Sequence, residues 1–343
     1  MQSFSNKIKR YSRQTLIDWI GLSGQRRLEE KRVLIIGCGA LGSTVANNLV
    51  RAGVGHIKIV DRDYLELENL QRQMLFDEED VKLLKPKAIA AREKLQKINS
   101  QVCVQAEICD VNRRNIEELL DGIELAIDGT DNLETRFLIN DACFKHKIPW
   151  IYGACVASYG MTMSFFPKGG PCFRCIISSL PPPGTLPTCD TVGILNAVPQ
   201  IVGAIQTNEA IKILLEAENI CKDLIYFDLS TNEFVKTKIE RRKGCSLCEG
   251  GVFEYLEGKF LSSAVALCGR NAVQISPERE LAVPIEMMAE KLRKIGEVSY
   301  AGYLLKFKKE EYELVIFPDG RVMVKGTEDI SLAKSLYAKY VGH

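Results

Sequence analysis

The stretch Val33-Leu-Ile-Ile-Gly37-Cys-Gly39-Ala-Leu-Gly42 decides the fold of this 343-residue chain. An apolar run that passes into the pattern G-x-G-x-x-G is typical of a strand, a tight turn and a helix whose N-terminus binds phosphate. The next predicted strand, His56–Val60, ends at Asp61, whose carboxylate is placed to accept hydrogen bonds from ribose hydroxyls. The pattern therefore predicts a nucleotide site, with a glycine turn that binds no ligand as the alternative, and it does not distinguish a dinucleotide from ATP.

The alternation of strands and helices continues outward from this turn. Further strands are predicted at 102–106, 125–128 and 150–152, with helices over 87–98 and 135–146 between them. Because strands that alternate with helices form parallel sheets, we expect a doubly wound, Rossmann-like α/β sheet. Its nucleotide is expected at the carboxyl edge of the strands.

A proline-rich segment, 178–187, interrupts this pattern and is predicted to be a surface loop. Beyond it the sequence predicts one long helix over Gly193–Leu215 and a pair of strands within 224–240. Shorter elements follow and predict a small C-terminal α+β domain. We therefore expect a nucleotide-binding domain at 1–250, which includes a metal site, and a second domain at 251–343.

Composition excludes several classes of protein. With 46% hydrophobic and 26% charged residues, the chain is neither disordered nor collagen-like. Its formal net charge of +1 argues against nucleic-acid binding. The N-terminus carries no apolar leader, and no apolar stretch reaches the ~18 residues that a membrane span needs. We expect a cytoplasmic protein with no membrane or nucleic-acid partner.

A polar segment follows the second strand, where a dehydrogenase would proceed to its next helix. It runs from Asp61 through Asp63 to Arg72 and Gln73, and Lys87 starts a helix beyond it. Arg72 and Lys87 can neutralise phosphate oxygens, which a phosphoryl-type reaction requires more than a hydride transfer does. For either residue taken alone, a solvated side chain at a helix end is the alternative.

A second acidic turn, Asp128-Gly-Thr-Asp131-Asn132, ends the predicted strand at 125–128. Asp131 lies at the ligand edge and is placed to hold Mg²⁺ on a triphosphate, because Mg²⁺ is usually bound by one or two carboxylates plus phosphate oxygens. The alternative is that Asp131 only caps the helix that begins near Leu133.

Twelve cysteines in a chain expected to be cytoplasmic are unlikely to form disulfides, because the cytosol keeps thiols reduced. Two C-x-x-C pairs predict a closed tetrahedral zinc site, and a redox pair is the alternative. The pairs are Cys172-Phe-Arg-Cys175 and Cys245-Ser-Leu-Cys248. A closed site offers no position for substrate, so we expect this zinc to be structural.

Cys189 lies between the proline-rich loop and the predicted long helix. A helix dipole would favour its thiolate, which makes it a candidate nucleophile toward an activated acyl group. An ordinary loop cysteine is the alternative, since no basic neighbour is visible. Most of the remaining cysteines lie in apolar patterns and are predicted to be core residues: Cys38, Cys103, Cys109, Cys143, Cys155, Cys221 and Cys268.

Together these motifs resemble the ThiF/MoeB/HesA family of ubiquitin-activating-type adenylating enzymes. The resemblance covers about two thirds of the chain, from Tyr11 to Cys248. The motifs that carry it are, in order, Arg13-Gln14, Gly37–Gly42, Asp61 with Asn69-Leu-Gln-Arg72-Gln73, Pro86-Lys87, Thr130-Asp131-Asn132 and both C-x-x-C pairs.

The resemblance implies a homodimer that uses ATP and Mg²⁺ to adenylate the C-terminal Gly-Gly carboxylate of a small ubiquitin-like sulfur-carrier protein. Asp61 would hold the ribose, Asp131 the metal, and Arg13 would reach the ATP of the other subunit. In some members a cysteine at the position of Cys189 takes the acyl group or joins sulfur transfer. The other residues expected around the nucleotide are Gly37, Gly39, Gly42, Asp63, Asn69, Arg72, Gln73, Lys87 and Asn132.

The resemblance leaves the pathway open between thiamine and molybdopterin synthesis, and the motifs are closer to the thiamine branch. Residues 251–343 exceed the family pattern; they would dock the carrier, dock a sulfurtransferase or stabilise the dimer. Two other functions stay open, an NAD-dependent oxidoreductase on the same glycine turn and a non-catalytic nucleotide-binding scaffold. A melting-temperature measurement distinguishes an adenylating enzyme from an oxidoreductase. ATP should raise the melting temperature of the first and NAD that of the second, because a ligand that binds the folded state stabilises it.

Overall fold

The computed structural model describes residues 9–182, 185–259, 264–267, 271–276 and 284–342. The described residues form two compact units. The first unit is built from Met1–Glu78, Pro86–Leu180 and Ile194–Lys259, and the second from Glu79–Lys85, Pro181–Gly193 and Phe260–His343. Two internal segments thus group with the second unit, and the single boundary at residue 250 stays a prediction.

A mixed sheet organises the first unit. Its strands are β1 Arg32–Ile36, β2 His56–Val60, β3 Cys103–Glu107, β4 Leu125–Asp128, β5 Trp150–Val156, β6 Tyr159–Phe165, β7 Leu224–Asp228 and β8 Glu233–Thr237. Among the described residues the order is β3-β2-β1-β4-β5-β6-β7-β8. The first five strands are parallel, and β6 to β8 continue the sheet antiparallel. The order 3-2-1-4-5 is that of a doubly wound fold, which confirms the predicted Rossmann-like class.

Helices cover both faces of a sheet of this kind. In chain order the helices up to residue 215 are α1 Gly21–Leu28, α2 Ala40–Ala52, α3 Glu78–Lys82, α4 Lys87–Ile98, α5 Ile116–Leu119, α6 Leu133–His146, α7 Phe173–Ile176, α8 Cys189–Val192 and α9 Ala197–Leu215, with 3₁₀ turns at Gln14–Leu16 and Leu67–Asn69. Helix α8 and all but the first residue of α3 belong to the second unit. Helix α9 packs on α2 and on strands β5 and β6. Of the helices in the described ranges, none is both long and apolar enough to cross a bilayer.

Two sequence predictions need correction. The long helix begins at Ala197 rather than at Gly193, because Gly193 has φ +80° and ends the short helix α8. Of the cysteines assigned to the core, Cys38 and Cys143 are buried, whereas Cys103 is exposed on the edge strand β3. Cys109, Cys155 and Cys221 are partly buried, and Cys268 lies outside the described residues. The described part of 178–187 contains no helix or strand, as predicted.

The core of the first unit is rich in aromatic side chains. Trp150 stacks on Phe165 at 4.8 Å between ring centroids, and Phe137 stacks on Tyr255 at 4.6 Å. Phe173 meets the Phe137 ring edge-on at 5.3 Å. Each large buried side chain contributes about 1.5–3 kcal/mol to folding. The cluster therefore joins α6, β5 and β6 to the segment that contains Cys172.

The second unit contains an antiparallel sheet covered by two helices. Its elements are β9 Ala264–Leu267, β10 Ala272–Ile275, α10 Ile285–Leu292, β11 Glu297–Tyr300, β12 Leu305–Lys309, β13 Tyr312–Ile316, β14 Val322–Lys325 and α11 Ile330–Tyr340. The strand order within the described residues is β11-β12-β13-β14-β10-β9. Apolar side chains of both helices share one core with the sheet, among them Met288, Leu336 and Phe307. This architecture confirms the predicted C-terminal α+β unit.

Candidate nucleotide site and metal site

The glycine turn joins β1 to α2 where the strand order reverses between β1 and β4. Gly37 has φ +89°, and a Cβ added there would lie 2.6 Å from the carbonyl oxygen of Gly129. A Cβ on Gly42 would lie 1.8 Å from the carbonyl oxygen of Gly37. These glycines allow three backbone segments to touch. Ligands of open α/β sheets bind in the crevice at this point.

Gly39 differs from its neighbours because it borders open space. Of the described residues, only the Gln73 side chain comes within 4 Å of a Cβ built on Gly39, with its Nε2 at 3.8 Å. Gln73 itself is buried, and its Oε1 has no hydrogen-bond partner among the described residues. A buried polar atom of this kind is uncommon in native structures. The open space beside Gly39 fits a bound nucleotide, and the Nε2 of Gln73 is the side-chain atom nearest to it.

The Asp61 carboxylate fixes the turn from the end of β2. It accepts hydrogen bonds from the backbone N–H of Cys38 at 2.5 Å and of Asp63 at 2.7 Å. Burial raises the pKa of the Asp61 carboxyl, and the nearby Lys87 ammonium opposes that shift. Each carboxylate oxygen has a second lone pair, so Asp61 can still accept hydrogen bonds from ribose hydroxyls.

Cations and carboxylates alternate beside Asp61. The Nζ of Lys87 lies 3.1 Å from the Oδ2 of Asp63, and the Lys87 side chain is only 7% exposed. The Nη1 of Arg62 lies 3.0 Å from the Oδ1 of Asp110. Burial alone would lower the pKa of Arg62, but the carboxylates of Asp110 and Asp63 raise it. No sequence motif indicates the Arg62–Asp110 pair, because the two residues are 48 positions apart.

Two other predicted residues lie along the same segment. Asn69 is buried, and its Oδ1 accepts a hydrogen bond from the Glu66 N–H at 3.1 Å in a capping box of the short 3₁₀ turn. Arg72 is half-buried, and its Nη1 donates to the carbonyl oxygen of Glu68 at 2.9 Å. Both contacts order the chain between β2 and α4, and the roles of Asn69 and Arg72 toward a nucleotide stay predictions.

The N-cap of helix α6, which follows the acidic turn after β4, is Asn132 rather than Asp131. The Oδ1 of Asn132 accepts a hydrogen bond from the Thr135 N–H at 2.8 Å at the start of α6. The cap interpretation of Asp131 is therefore wrong. Asp131 is exposed. Burial alone would lower the pKa of Arg136, but the Asp128 carboxylate raises it, and the charge of Asp131 adds a smaller effect in the same direction.

A buried ion pair holds this turn in place. The Oδ2 of Asp128 accepts a hydrogen bond from the Nε of Arg136 at 2.9 Å, and its Oδ1 accepts one from the Thr130 hydroxyl at 2.6 Å. The Nη2 of Arg136 donates to the carbonyl oxygens of Thr130 at 2.6 Å and of Gly153 at 2.9 Å. Arg136 could not be predicted as part of the site, because an arginine eight residues after a strand end has no diagnostic pattern.

The four cysteines of the two C-x-x-C pairs form one cluster. Their sulfurs all lie within 4.8 Å of one another, with Cys172–Cys245 at 3.6 Å and Cys175–Cys248 at 3.5 Å. Tetrahedral coordination with Zn–S bonds of about 2.3 Å separates sulfurs by about 3.8 Å. Burial alone would raise the pKa of Cys245, but hydrogen bonds from the backbone of Cys248 and Leu247 lower it to about 7. The donor set therefore fits Zn²⁺.

Two predicted residues lie elsewhere on the chain. Arg13 is exposed just before the first 3₁₀ turn, Gln14–Leu16. Cys189 is the first residue of the four-residue helix α8, where Thr188 is the N-cap, and it belongs to the second unit. Its side chain is partly exposed. The roles of Arg13 and Cys189 stay predictions.

Residues 11–247 match the model of a family described as the ThiF family. The chain belongs to the ThiF family. This membership confirms the resemblance found in the motifs. A ThiF-family relative in Bacillus subtilis (strain 168), named sulfur carrier protein ThiS adenylyltransferase, is 44% identical over 337 residues, which cover 97% of this chain and 99% of that protein.

Two further matches each cover about 70% of this chain. Adenylyltransferase and sulfurtransferase MOCS3 of Culex quinquefasciatus is 38% identical over 246 residues, which cover 71% of this chain and 56% of that protein. The crystal structure of E. coli MccB aligns with a TM-score of 0.61 at 22% identity and covers 70% of this chain and 72% of that one. At this identity the MccB structure supports the fold alone.

Proposed function

We propose that the protein uses ATP and Mg²⁺ to adenylate the C-terminal Gly-Gly carboxylate of a ubiquitin-like sulfur-carrier protein, with release of pyrophosphate. One observation carries the proposal: open space beside Gly39 lies at the reversal of strand order, with the Nε2 of Gln73 at its edge. Membership in the ThiF family and the name of the Bacillus subtilis relative support it.

Different residues of the crevice would bind different parts of the nucleotide. The ribose hydroxyls would donate to Asp61, and the phosphates would lie against the glycine turn and the N-terminus of α2. Lys87 would bind phosphate oxygens while it keeps its contact with Asp63, which holds the ammonium in place. Asn69, Arg72 and Asn132 complete the polar lining of the crevice. Asp131 would hold Mg²⁺, which neutralises charge on the triphosphate when bound.

The reaction needs little from the protein besides position and charge. A carboxylate oxygen of the carrier bonds to the α-phosphorus, the bond from that phosphorus to the bridging oxygen breaks, and pyrophosphate leaves with the electron pair. Fixed cations such as Lys87 and Arg72 stabilise the negative charge that grows on the leaving group. No general base is required, because a carboxylate is already ionised at neutral pH.

We further propose that the four-cysteine cluster holds a structural Zn²⁺. Four thiolates would fill a tetrahedral shell and leave no position for substrate. When bound, the ion would tie the turn at Cys172–Cys175 to the turn at Cys245–Cys248. The spacing of the sulfurs, between 3.5 and 4.8 Å, supports this assignment.

We also propose a homodimer in which Arg13 completes the site of the partner. Exposed apolar side chains follow Arg13 closely along the chain and offer a surface that a second copy could cover: Leu16, Ile17, Trp19 and Leu22. Mixing inactive Arg13→Ala chains with inactive Asp131→Ala chains should restore about one quarter of the wild-type activity, because half of the dimers are mixed and each has one intact site. No recovery after verified subunit exchange would exclude this arrangement.

The carrier and the pathway are proposed from the relatives. The name of the Bacillus subtilis protein favours a thiamine-type carrier, and the double name of the MOCS3 relative supports a sulfurtransferase as a further partner. The candidate acyl acceptor for the later sulfur step is Cys189, whose partly exposed thiol lies at a helix start. Activation by ATP precedes that step and does not require the thiol.

Pyrophosphate exchange tests the proposal directly. Labelled pyrophosphate should enter ATP only when Mg²⁺ and a carrier ending in Gly-Gly are both present, and a carrier that lacks the two glycines is the matched control. Asp131→Ala should abolish exchange. If the intact carrier supports no exchange, the proposed reaction is wrong, and the scaffold interpretation gains support. A rise in melting temperature with NAD rather than with ATP would favour the oxidoreductase.

A further inference from the structure

We infer that Asp141 and Arg174 are positioning residues that couple the four-cysteine cluster to the nucleotide site through helix α6. The inference rests on the proposed function, because it takes Zn²⁺ to bind the cluster and Mg²⁺ to bind at Asp131. Helix α6 begins two residues after Asp131 and carries Asp141 in its third turn. One rigid element thus connects the two sites.

Arg174 clamps the cluster to the far half of α6. It lies between Cys172 and Cys175, and its side chain is only 1% exposed. Its Nη2 lies 2.5 Å from the Oδ1 of Asp141, and its Nη1 lies 2.6 Å from the Oε2 of Glu254. A buried charge that loses its partner is strongly disfavoured, so the guanidinium and both carboxylates stay together.

Asp141 also holds the segment that follows the second cysteine pair. Its Oδ2 accepts hydrogen bonds from the backbone N–H of Tyr255 at 2.9 Å and of Leu256 at 3.4 Å. The Tyr255 ring stacks on Phe137 of the same helix at 4.6 Å. The chain on both sides of the cluster, before Cys175 and after Cys248, is therefore anchored to α6.

An uncharged contact reinforces the clamp one residue earlier on α6. The Oδ1 of Asn140 accepts a hydrogen bond from the backbone N–H of Phe173 at 2.9 Å. The Phe173 ring is fully buried and meets the rings of Phe137 at 5.3 Å and Trp150 at 6.0 Å. Close-packed interiors transmit displacement, so a shift of the cysteine turn would move α6 as well.

The near half of α6 is fixed to the nucleotide site in a similar way. Arg136 lies five residues before Asp141, a rise of about 7.5 Å along the helix. It binds Asp128 and the carbonyl oxygen of Thr130, the residue directly before Asp131. The position of Asp131 is thus set by the helix that the cysteine cluster anchors. Loss of the metal should release the far end and misplace the Mg²⁺ ligand.

Thermodynamic linkage makes this coupling measurable in both directions. If bound Zn²⁺ strengthens MgATP binding by some factor, MgATP must strengthen zinc retention by the same factor. Couplings of this type are typically about 5- to 150-fold. The effect should require Mg²⁺, because Asp131 would meet the nucleotide only through the ion.

The experiment compares nucleotide affinity in four proteins: zinc-loaded wild type, zinc-depleted wild type, Asp141→Asn and Arg174→Lys. We expect MgATP affinity to fall about fivefold or more in the last three. In magnesium-free buffer, ATP affinity should change less than twofold. The matched control is Lys145→Ala, which removes an exposed ion pair to Glu117 near the end of the same helix and should change neither affinity.

The outcomes separate the coupling from the proposed function. Equal MgATP affinity in zinc-loaded and zinc-depleted wild type would overturn the coupling while leaving the adenylation proposal intact. Failure of zinc-loaded wild type to bind MgATP would overturn the proposed function and the coupling with it. If Asp141→Asn or Arg174→Lys does not fold, zinc loss to a chromophoric chelator is measured in wild type with and without MgATP. Equal zinc retention in those two conditions would also overturn the inference.

Discussion

Alanine substitutions at two glycines of the same turn should have different effects. Gly42→Ala should lower the stability of the fold, whereas Gly39→Ala should lower the affinity for MgATP. At Gly42 the added Cβ would lie 1.8 Å from the carbonyl oxygen of Gly37 and 2.8 Å from its carbonyl carbon. Real Cβ atoms essentially never approach other atoms within 3.0 Å, and here both neighbours are backbone. The chain would have to open by more than 1 Å at the point where β1, β4 and α2 meet.

The energetic balance at Gly42 follows from this geometry. Alanine gains about 1 kcal/mol over glycine inside a helix. Overpacking of a tight site costs about 1–3 kcal/mol or more, and the cost lies at the upper end where rigid backbone must move. We therefore expect Gly42→Ala to lower the free energy of unfolding by about 2 kcal/mol.

The same change at Gly39 should act on the ligand instead. Because only the Gln73 amide, at 3.8 Å, approaches the new methyl group among the described residues, the fold should lose less than about 1 kcal/mol. The methyl group would occupy the space proposed for the phosphates. We expect MgATP affinity to fall at least about tenfold, which is about 1.4 kcal/mol.

Urea unfolding followed by tryptophan fluorescence gives the stabilities, since the chain has two tryptophans, Trp19 and the buried Trp150. Titration calorimetry gives the MgATP affinities of the same samples. A wild-type stability for Gly42→Ala would refute the close backbone approach. A wild-type affinity for Gly39→Ala would show that the nucleotide does not contact this turn.

Three other predictions follow from the buried pair and the cysteines. Arg136→Met leaves the Asp128 carboxylate buried without its partner, so we expect the free energy of unfolding in urea to fall by about 3–5 kcal/mol. The control is Arg51→Met at an exposed position, which should lower it by less than about 0.5 kcal/mol. Cys245→Ser should abolish stoichiometric zinc in metal analysis of the purified protein, and full zinc content would remove this cysteine from the ligand set. Cys189→Ala should retain wild-type pyrophosphate exchange and lose later sulfur transfer, so lost exchange would place the thiol in the activation step.

The sequence predicted those elements whose signals are local. The helix at Lys87–Ile98 occurs at the predicted residues, because a proline precedes it and most of its residues are strong helix formers. The start of α9 was misplaced by four residues because apolar residues continue the pattern back toward Gly193, although the glycine adopts φ +80°, which an α-helix does not allow. Cys103 looked like a core residue because it lies in an apolar pattern, but β3 is an edge strand with an exposed face.

The charged contacts of the site could not be predicted from the sequence in the same way. Arg136 and Asp128 are eight residues apart, and Arg62 and Asp110 are 48 residues apart. Their pairing depends on which strand ends lie side by side, and only the three-dimensional fold decides that. The cysteine cluster could be predicted although its two pairs are 73 residues apart, because two C-x-x-C pairs in one chain are typical of a shared metal site.

That long separation also affects how the protein is made. The first cysteine pair leaves the ribosome well before the second, and at about 5–20 residues per second the interval is roughly 4–15 s. During that interval the nascent chain has only two of the four cluster thiols, so capture of an ion by all four must follow synthesis of Cys248. In zinc-starved cells, newly made chains should therefore pair their early strands while the turn at Cys245–Cys248 stays unattached. Proteases and chaperones should act on this form in preference to the zinc-bound one.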